Sequence, residues 1–288
     1  MNTNTDTYIR LLNIFPTDLL RASFEKKVQH KQRVIERILA EHQEKEIFNF
    51  VINNLQYTKQ HTYVYAINKG KVKLNMPIIK GALPVETTGR DGVSTAYYFL
   101  KCDSNVIDTR TFTKAVLTNY WPVSISFTNE LLTIKVTVME HNLKEYAGIP
   151  LYDLGKAFTE ADIMRSIDDA LIANNVEISI IDLNKGIKYL WKNDIIDAKF
   201  VRFRKDKSIS SETMNGDFTL KKAMPETYKD MMARPLERNI FKFEGNYQEP
   251  DYPSHFTVEP EAGAVSFTLF PPSLNANQNV LNLILQHN

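Results

Sequence analysis

The stretch WPVSISFTNELLTIKVTVME, Trp121 to Glu140, decides the fold class. Val123, Ile125 and Phe127 alternate with Ser124 and Ser126. Beyond Thr128-Asn129-Glu130, Leu132, Ile134, Val136 and Val138 alternate with Thr133, Lys135 and Thr137. Successive side chains of an extended strand point to opposite faces, so a period of two around a short polar break predicts a half-buried β-hairpin. Its apolar face belongs to a core; its face of Ser, Thr and Lys goes to water or to a partner.

Upstream of the hairpin the period is that of a helix. Tyr8, Leu11, Leu12 and Phe15 recur at helical spacing until Pro16, and Thr17 or Asp18 is placed to cap a second helix carrying Leu19, Leu20 and Phe24. Val34, Ile35, Ile38 and Leu39 stripe a third helix; Ile47, Phe48, Val51, Ile52 and Leu55 stripe a fourth. Residues 1–58 therefore read as a helical bundle and 59–288 as a β-rich α+β domain, with a subdivision near 143–158 where Gly148, Pro150 and Gly155 gather. In the second part, 61–80 reads as a hairpin, 81–92 as a loop and 93–101 as a strand; 105–120 fits strand or helix. Thr159 opens a helix with Ile163, Ile167, Leu171 and Ile172 on one side, 176–183 is a strand, and 186–194 a short helix. KFVRFRKDK (199–207) is a strand followed by a polar loop, 255–270 a hairpin, and a terminal helix starts at Leu274. The fold class is α+β: a small helical bundle, then a larger, mainly antiparallel sheet with inserted helices.

Composition narrows the function. Formal charge is +1, from 35 basic and 34 acidic residues, so no global field draws in nucleic acid or membrane and such binding needs a local patch. Cys102 stands alone, which rules out an internal disulfide or a cysteine metal cage. The start, MNTNTDTYIR, lacks the basic and apolar regions of a signal peptide, and no apolar run approaches the ~20 residues of a membrane span. The expectation is an intracellular, cytoplasmic protein (nuclear in a eukaryote) with no membrane partner.

Two basic clusters carry the leading functional expectation. The first is Lys26, Lys27, His30, Lys31, Arg33 and Arg37, on and before the third helix, with Glu25, Glu36 and Glu41 interspersed. The second is Arg202, Arg204 and Lys205, alternating with Phe200 and Phe203 and extendable by Lys221 and Lys222. Guanidinium and ammonium groups neutralise phosphates, and interleaved aromatics stack on bases. The ordinary reading of the first is a solvated helix face; of the second, an edge strand whose charges block aggregation.

Residues 17–41, TDLLRASFEKKVQHKQRVIERILAE, resemble the SAP-type DNA-binding motif. Leu19 and Leu20 match its first helix; Lys31, Val34, Ile35, Arg37, Ile38 and Leu39 match its second. The turn departs, with Val28-Gln29-His30 where the family usually has Gly before the Lys. The resemblance implies DNA binding with Lys31 and Arg37 on phosphates. It covers about a tenth of the chain.

Catalytic patterns are incomplete. The six histidines, His30, His42, His61, His141, His255 and His287, lack metal-ligand spacing. Glu140-His141 is an acid–His pair whose members point opposite ways on a strand, and Cys102 lacks an adjacent base. Glu177 and Asp182 are conceivable ligands of a metal-dependent nuclease. No catalytic residue, metal or cofactor is assigned. The ranked expectations are a non-enzymatic nucleic-acid-binding protein, within a complex; an adaptor or structural subunit that binds a protein partner or self-associates; and a nuclease.

Overall fold

The computed structural model describes residues 3–73, 78–79, 84–90, 92–139, 145–146, 149–156, 159–205, 208–213, 219–247 and 250–288. The chain is α+β: helices first, then mainly antiparallel sheet with helices inserted. Its contacts divide it into two compact units. Unit 1 holds Met1–Thr58, Ile67–Glu130 and Ile134–Glu177; unit 2 holds Lys59–Ala66, Leu131–Thr133 and Ile178–Asn288. The N-terminal helices therefore share a unit with a large part of the sheet.

Unit 1 opens with α1 (Thr3–Asn13), α2 (Thr17–Ser23), α3 (Lys31–Glu41) and α4 (Glu44–Asn54). The predicted stripes bury Leu11, Leu12, Phe15, Leu20, Val34, Ile35, Ile38, Ile47 and Val51. Phe50 lies edge-on to Phe15 at 5.1 Å and 4.8 Å from Phe24, which knits the bundle. Pro16, rather than Thr17, is the N-cap of α2. Gln43 and Glu46 form a capping box at α4.

The strands of unit 1 include β2 (Pro84–Arg90), β3 (Val93–Asp108), β4 (Thr113–Phe127), β6 (Glu145–Tyr146) and β7 (Ile149–Lys156). The chain enters unit 1 along β1 (Gln60–Lys69) and returns to it along β5 (Leu131–Thr137). The Trp121–Glu140 hairpin forms, as β4 and β5 around residues 128–130. Val123, Ile125, Phe127, Leu132, Ile134 and Val136 are buried.

The polar face is the first correction. Thr133 and Thr137 are buried too, and Ser124, Ser126 and Lys135 are half-buried. Ser124 shares its face with Tyr97, and Pro122 with Phe99; Phe48 of α4 packs 5.3 Å from Phe99. The bundle itself roofs the face that the alternation assigned to water or a partner. Trp121 is buried as well, and its indole donates to the carbonyl of Thr137 at 2.6 Å. Tyr98 is fully buried, and burial pushes its hydroxyl up to about 12.

The 81–92 loop is largely strand. β2 pairs antiparallel with β3, Arg90 opposite Val93, and Gly92 sits in the turn at φ 76. Residues 105–108 and 113–120 are strand as well, joined by a turn at 109–112: β3 and β4 pair from Ser94–Phe127 out to Asp108–Thr113. No described residue beyond β1 forms the predicted second strand of 61–80: residues 71–73 and 78–79 are irregular, and 74–77 and 80 lie outside the described residues. α5 (Glu160–Ala173) has the predicted start, a capping box between Thr159 and Asp162.

Unit 2 adds β8 (Glu177–Ile180), α6 (Asn184–Lys192), β9 (Ile196–Lys205), β10 (Ser208–Thr213), α7 (Leu220–Ala223), α8 (Pro225–Ala233), β11 (Asn239–Phe243), β12 (His255–Glu259), β13 (Ala264–Phe267) and α9 (Ala276–Gln286). Its strand order is β10-β9-β11-β12-β13-β1. β1 thus pairs with β13, Thr62 opposite Val265, a partner some two hundred residues away by number. One face of these strands carries Val64, Val265, Val258, Phe267, Phe256 and Phe241, and joins Ile187, Leu190 and Trp191 of α6 and Val280, Leu281 and Ile284 of α9 in one core. β9 is no edge strand: β10 covers it, formed by residues expected to be loop, and β11 lies on its other side.

Candidate nucleic-acid interface

α2 ends where Glu25 takes a left-handed φ of 52 and Lys26 donates its backbone N–H to Arg21 at 2.9 Å, a closure that points residues 26–30 away from the helix. α3 starts at His30 without a side-chain cap and without an acid in its first turn. The positive end of its helix dipole is therefore uncompensated locally. His30, Lys31, Gln32, Arg33 and Glu36 line a shallow depression there.

The basic residues of this cluster divide into two groups. Lys26 is spent internally on Glu41, and that bond holds the Glu41 carboxyl below the usual carboxylate range. The Lys31 ammonium donates to the carbonyl of Asn13 at 2.7 Å, tying α3 to the end of α1. Lys27, His30, Arg33 and Arg37 are exposed. Of the two positions that the SAP resemblance singles out, Arg37 faces solvent and Lys31 is partly covered.

The second cluster lies in unit 2. Val201 is buried and Arg202 exposed, as the alternation requires. The Arg202 guanidinium approaches Glu237 at 3.5 Å, and its backbone N–H donates to the Asn239 side chain. The side chains of Arg204 and Lys205 lie outside the described set. Lys221 is held by Asp194 at 2.9 Å, which raises its pKa, and Lys222 is exposed. The two clusters are on different units.

The conceivable nuclease carboxylates are both occupied. Glu177 pairs with Lys69 at 2.8 Å, and Asp182 accepts from the backbone and side-chain nitrogens of Asn184, capping α6. Glu140 and His141 lie outside the described residues, among which no three His, Cys, Asp or Glu side chains gather as metal ligands. Burial pushes the Cys102 thiol up to about 11, away from the thiolate a nucleophile needs. No helix of the described residues is long and apolar enough to cross a membrane.

Sequence reasoning missed one surface feature. Phe112, Val116, Tyr152 and Leu154 are 81%, 61%, 61% and 46% exposed, at and beside the tip of the β3–β4 hairpin. The run Asp108-Thr109-Arg110-Thr111 is turn chemistry and could have placed Phe112 at a tip. Nothing local marks Tyr152 as a cross-strand partner of Ile107 in the same hairpin. The chain matches no protein-family model and no curated protein.

Proposed function

We propose that the chain binds nucleic acid through the α2–α3 connection and the outer face of α3, with no sequence readout. The observation that carries this is the exposed set Lys27, His30, Arg33 and Arg37 around the uncapped start of α3. Cations there meet phosphates, and backbone N–H groups at the helix start add donors. Lys26 and Lys31 act as braces that hold the helices in register. The near-neutral total charge makes the affinity modest and fits a role beside other subunits.

The test is fluorescence anisotropy with labelled single- and double-stranded DNA and RNA over a salt series. Three strong cations in contact predict a log–log slope of about −2.7 on double-stranded DNA and about −2 on single strands. Arg33→Glu with Arg37→Glu abolishes retention while the circular dichroism spectrum is unchanged. Absence of binding at low salt, or binding untouched by the double substitution, removes the proposal. A second reading, an adaptor or self-associating subunit, is favoured by the apolar strip at the β3–β4 tip.

A further inference from the structure

The register of β9 against β11 sets Asp197 directly opposite Lys242, with Ala198 opposite Phe241. Directly opposed residues share a face, their Cβ atoms about 4.5–5.5 Å apart. Ala198 and Phe241 go to the core of unit 2, so Asp197 and Lys242 lie together on the other face. There the Lys242 ammonium pairs with Glu244, two residues along its own chain segment, at 2.9 Å.

Asp197 is buried, yet only half of its carboxyl group is engaged. Oδ1 accepts from the Trp191 indole at 3.2 Å, while Oδ2 has no hydrogen-bond partner among the described residues. An ionised carboxylate in the interior takes a charge-assisted bond from a cation within reach, because leaving it unpaired is costly. The cation opposite Asp197 is engaged by Glu244 instead, which is the arrangement a neutral acid allows. Burial raises the Asp197 pKa and the Glu244 charge adds to the rise; the Trp191 indole, the Ala198 N–H and the Lys242 ammonium work the other way.

Other charged and titratable groups surround the pair. Lys199, two residues on along β9, is exposed. His255 of β12 stands opposite Lys242, and burial and the Lys199 charge lower its pKa, so it is mainly neutral at pH 7. Asp194, in the turn before β9, holds Lys221 of α7 at 2.9 Å, and Tyr228 of α8 packs edge-on to Trp191 at 5.1 Å. Asp197 and Glu244 are thus two carboxyl groups set to compete for one ammonium.

We propose that Asp197, Lys242 and Glu244 form a proton-controlled switch: the Lys242 ammonium rests on Glu244 while Asp197 holds a proton, and moves to Asp197 when that proton leaves to solvent. The inference stands independently of nucleic-acid binding. Ionisation of Asp197 releases the Glu244 carboxylate at the head of the 244–247 turn, where Tyr247 and Tyr252 pack on Phe243. That surface turn then carries one more negative charge above the transition than below it. The bond from Trp191 to Asp197 becomes charge-assisted at the same step, so the indole reports it.

The test is a pH titration of the indole N–H resonances of the full-length, ¹⁵N-labelled chain between about pH 4.5 and about 8, a window that spans the carboxylate and imidazole ranges. The chain holds two tryptophans, and Trp121, donating to the Thr137 carbonyl, is the internal reference. The expected result is a one-proton shift of the Trp191 resonance, with a midpoint above the ordinary carboxylate range, that disappears in Asp197→Asn. Lys242→Met raises that midpoint and Glu244→Gln lowers it, each by about one pH unit. Opposite signs distinguish a shared ammonium from a general loss of packing. Lys242 and Glu244 are half-buried, and the amide of Asp197→Asn still accepts from the indole, so the variants keep the fold. A Trp191 resonance that stays in place across this range overturns the proposal, as does a shift that survives Asp197→Asn. So does a midpoint that Glu244→Gln leaves unmoved or raises.

Discussion

Gly186→Ala tests the packing of unit 2 at its closest helix contact. Gly186 lies in the first turn of α6, where a Cβ would sit 2.3 Å from the carbonyl oxygen of Ile284 on α9, 3.1 Å from its carbonyl carbon and 3.2 Å from its Cγ2. Ordinary contact begins near 3.4 Å, so α6 and α9 must part by about 1 Å to admit a methyl group. That gap forfeits roughly a quarter to a half of the dispersion across the seam of Ile187, Leu190, Val280, Leu281 and Ile284. Overpacking of this kind costs about 1–3 kcal/mol, and here backbone, which cannot rotate away, sets the upper end. Against it stands the better helix propensity of Ala, about 1 kcal/mol. The expected net loss is about 2 kcal/mol, where an exposed helical glycine would instead gain about 1 kcal/mol. Urea unfolding followed by tryptophan fluorescence measures it as a lower midpoint. Adding Ile284→Ala does not restore stability, because the obstacle is the Ile284 carbonyl. A midpoint equal to or above that of the unaltered chain, or rescue by Ile284→Ala, refutes the close α6–α9 approach.

Asp197 is buried; one oxygen accepts from the Trp191 indole at 3.2 Å and the other has no hydrogen-bond partner among the described residues. Burial raises its pKa, with the Trp191 and Ala198 N–H groups working the other way. A folded pKa above the unfolded one means stability is full at low pH and falls as pH rises from the ordinary carboxylate range through the folded value. Asp197→Asn should flatten that slope and leave stability at neutral pH equal or higher; an unchanged slope in urea midpoints against pH argues against it. Cys102, with its thiol near pKa 11, should react with iodoacetamide at mildly alkaline pH far more slowly than free cysteine, and rapid labelling contradicts the burial described. Thr159→Ala removes the α5 capping box and should cost about 1 kcal/mol in the midpoint, an effect that vanishes if the helix starts elsewhere.

What the sequence determined by itself is local. The period of 3.6 in residues 8–55 and the period of two in 123–138 are properties of neighbours along the chain, so the helices and the central hairpin were legible, as were the Thr159 cap and the 255–270 hairpin, whose second strand ends at Phe267. Burial by remote segments is not written in a local period. Ser124 and Ser126 read as a face for water or a partner because nothing nearby in sequence says that Phe48 will pack on Phe99. KFVRFRKDK read as an edge because the polar 208–213 segment gives no apolar alternation, yet β10 pairs along it by backbone hydrogen bonds that need no particular side chain. Of the candidate interface, the sequence supplied the cations of α3. The tertiary structure decided which remain for a ligand, turning Lys26 to Glu41 and Lys31 to Asn13, and it alone brought Tyr152 opposite Ile107. Charge and periodicity travel with the residue; exposure and adjacency belong to the fold.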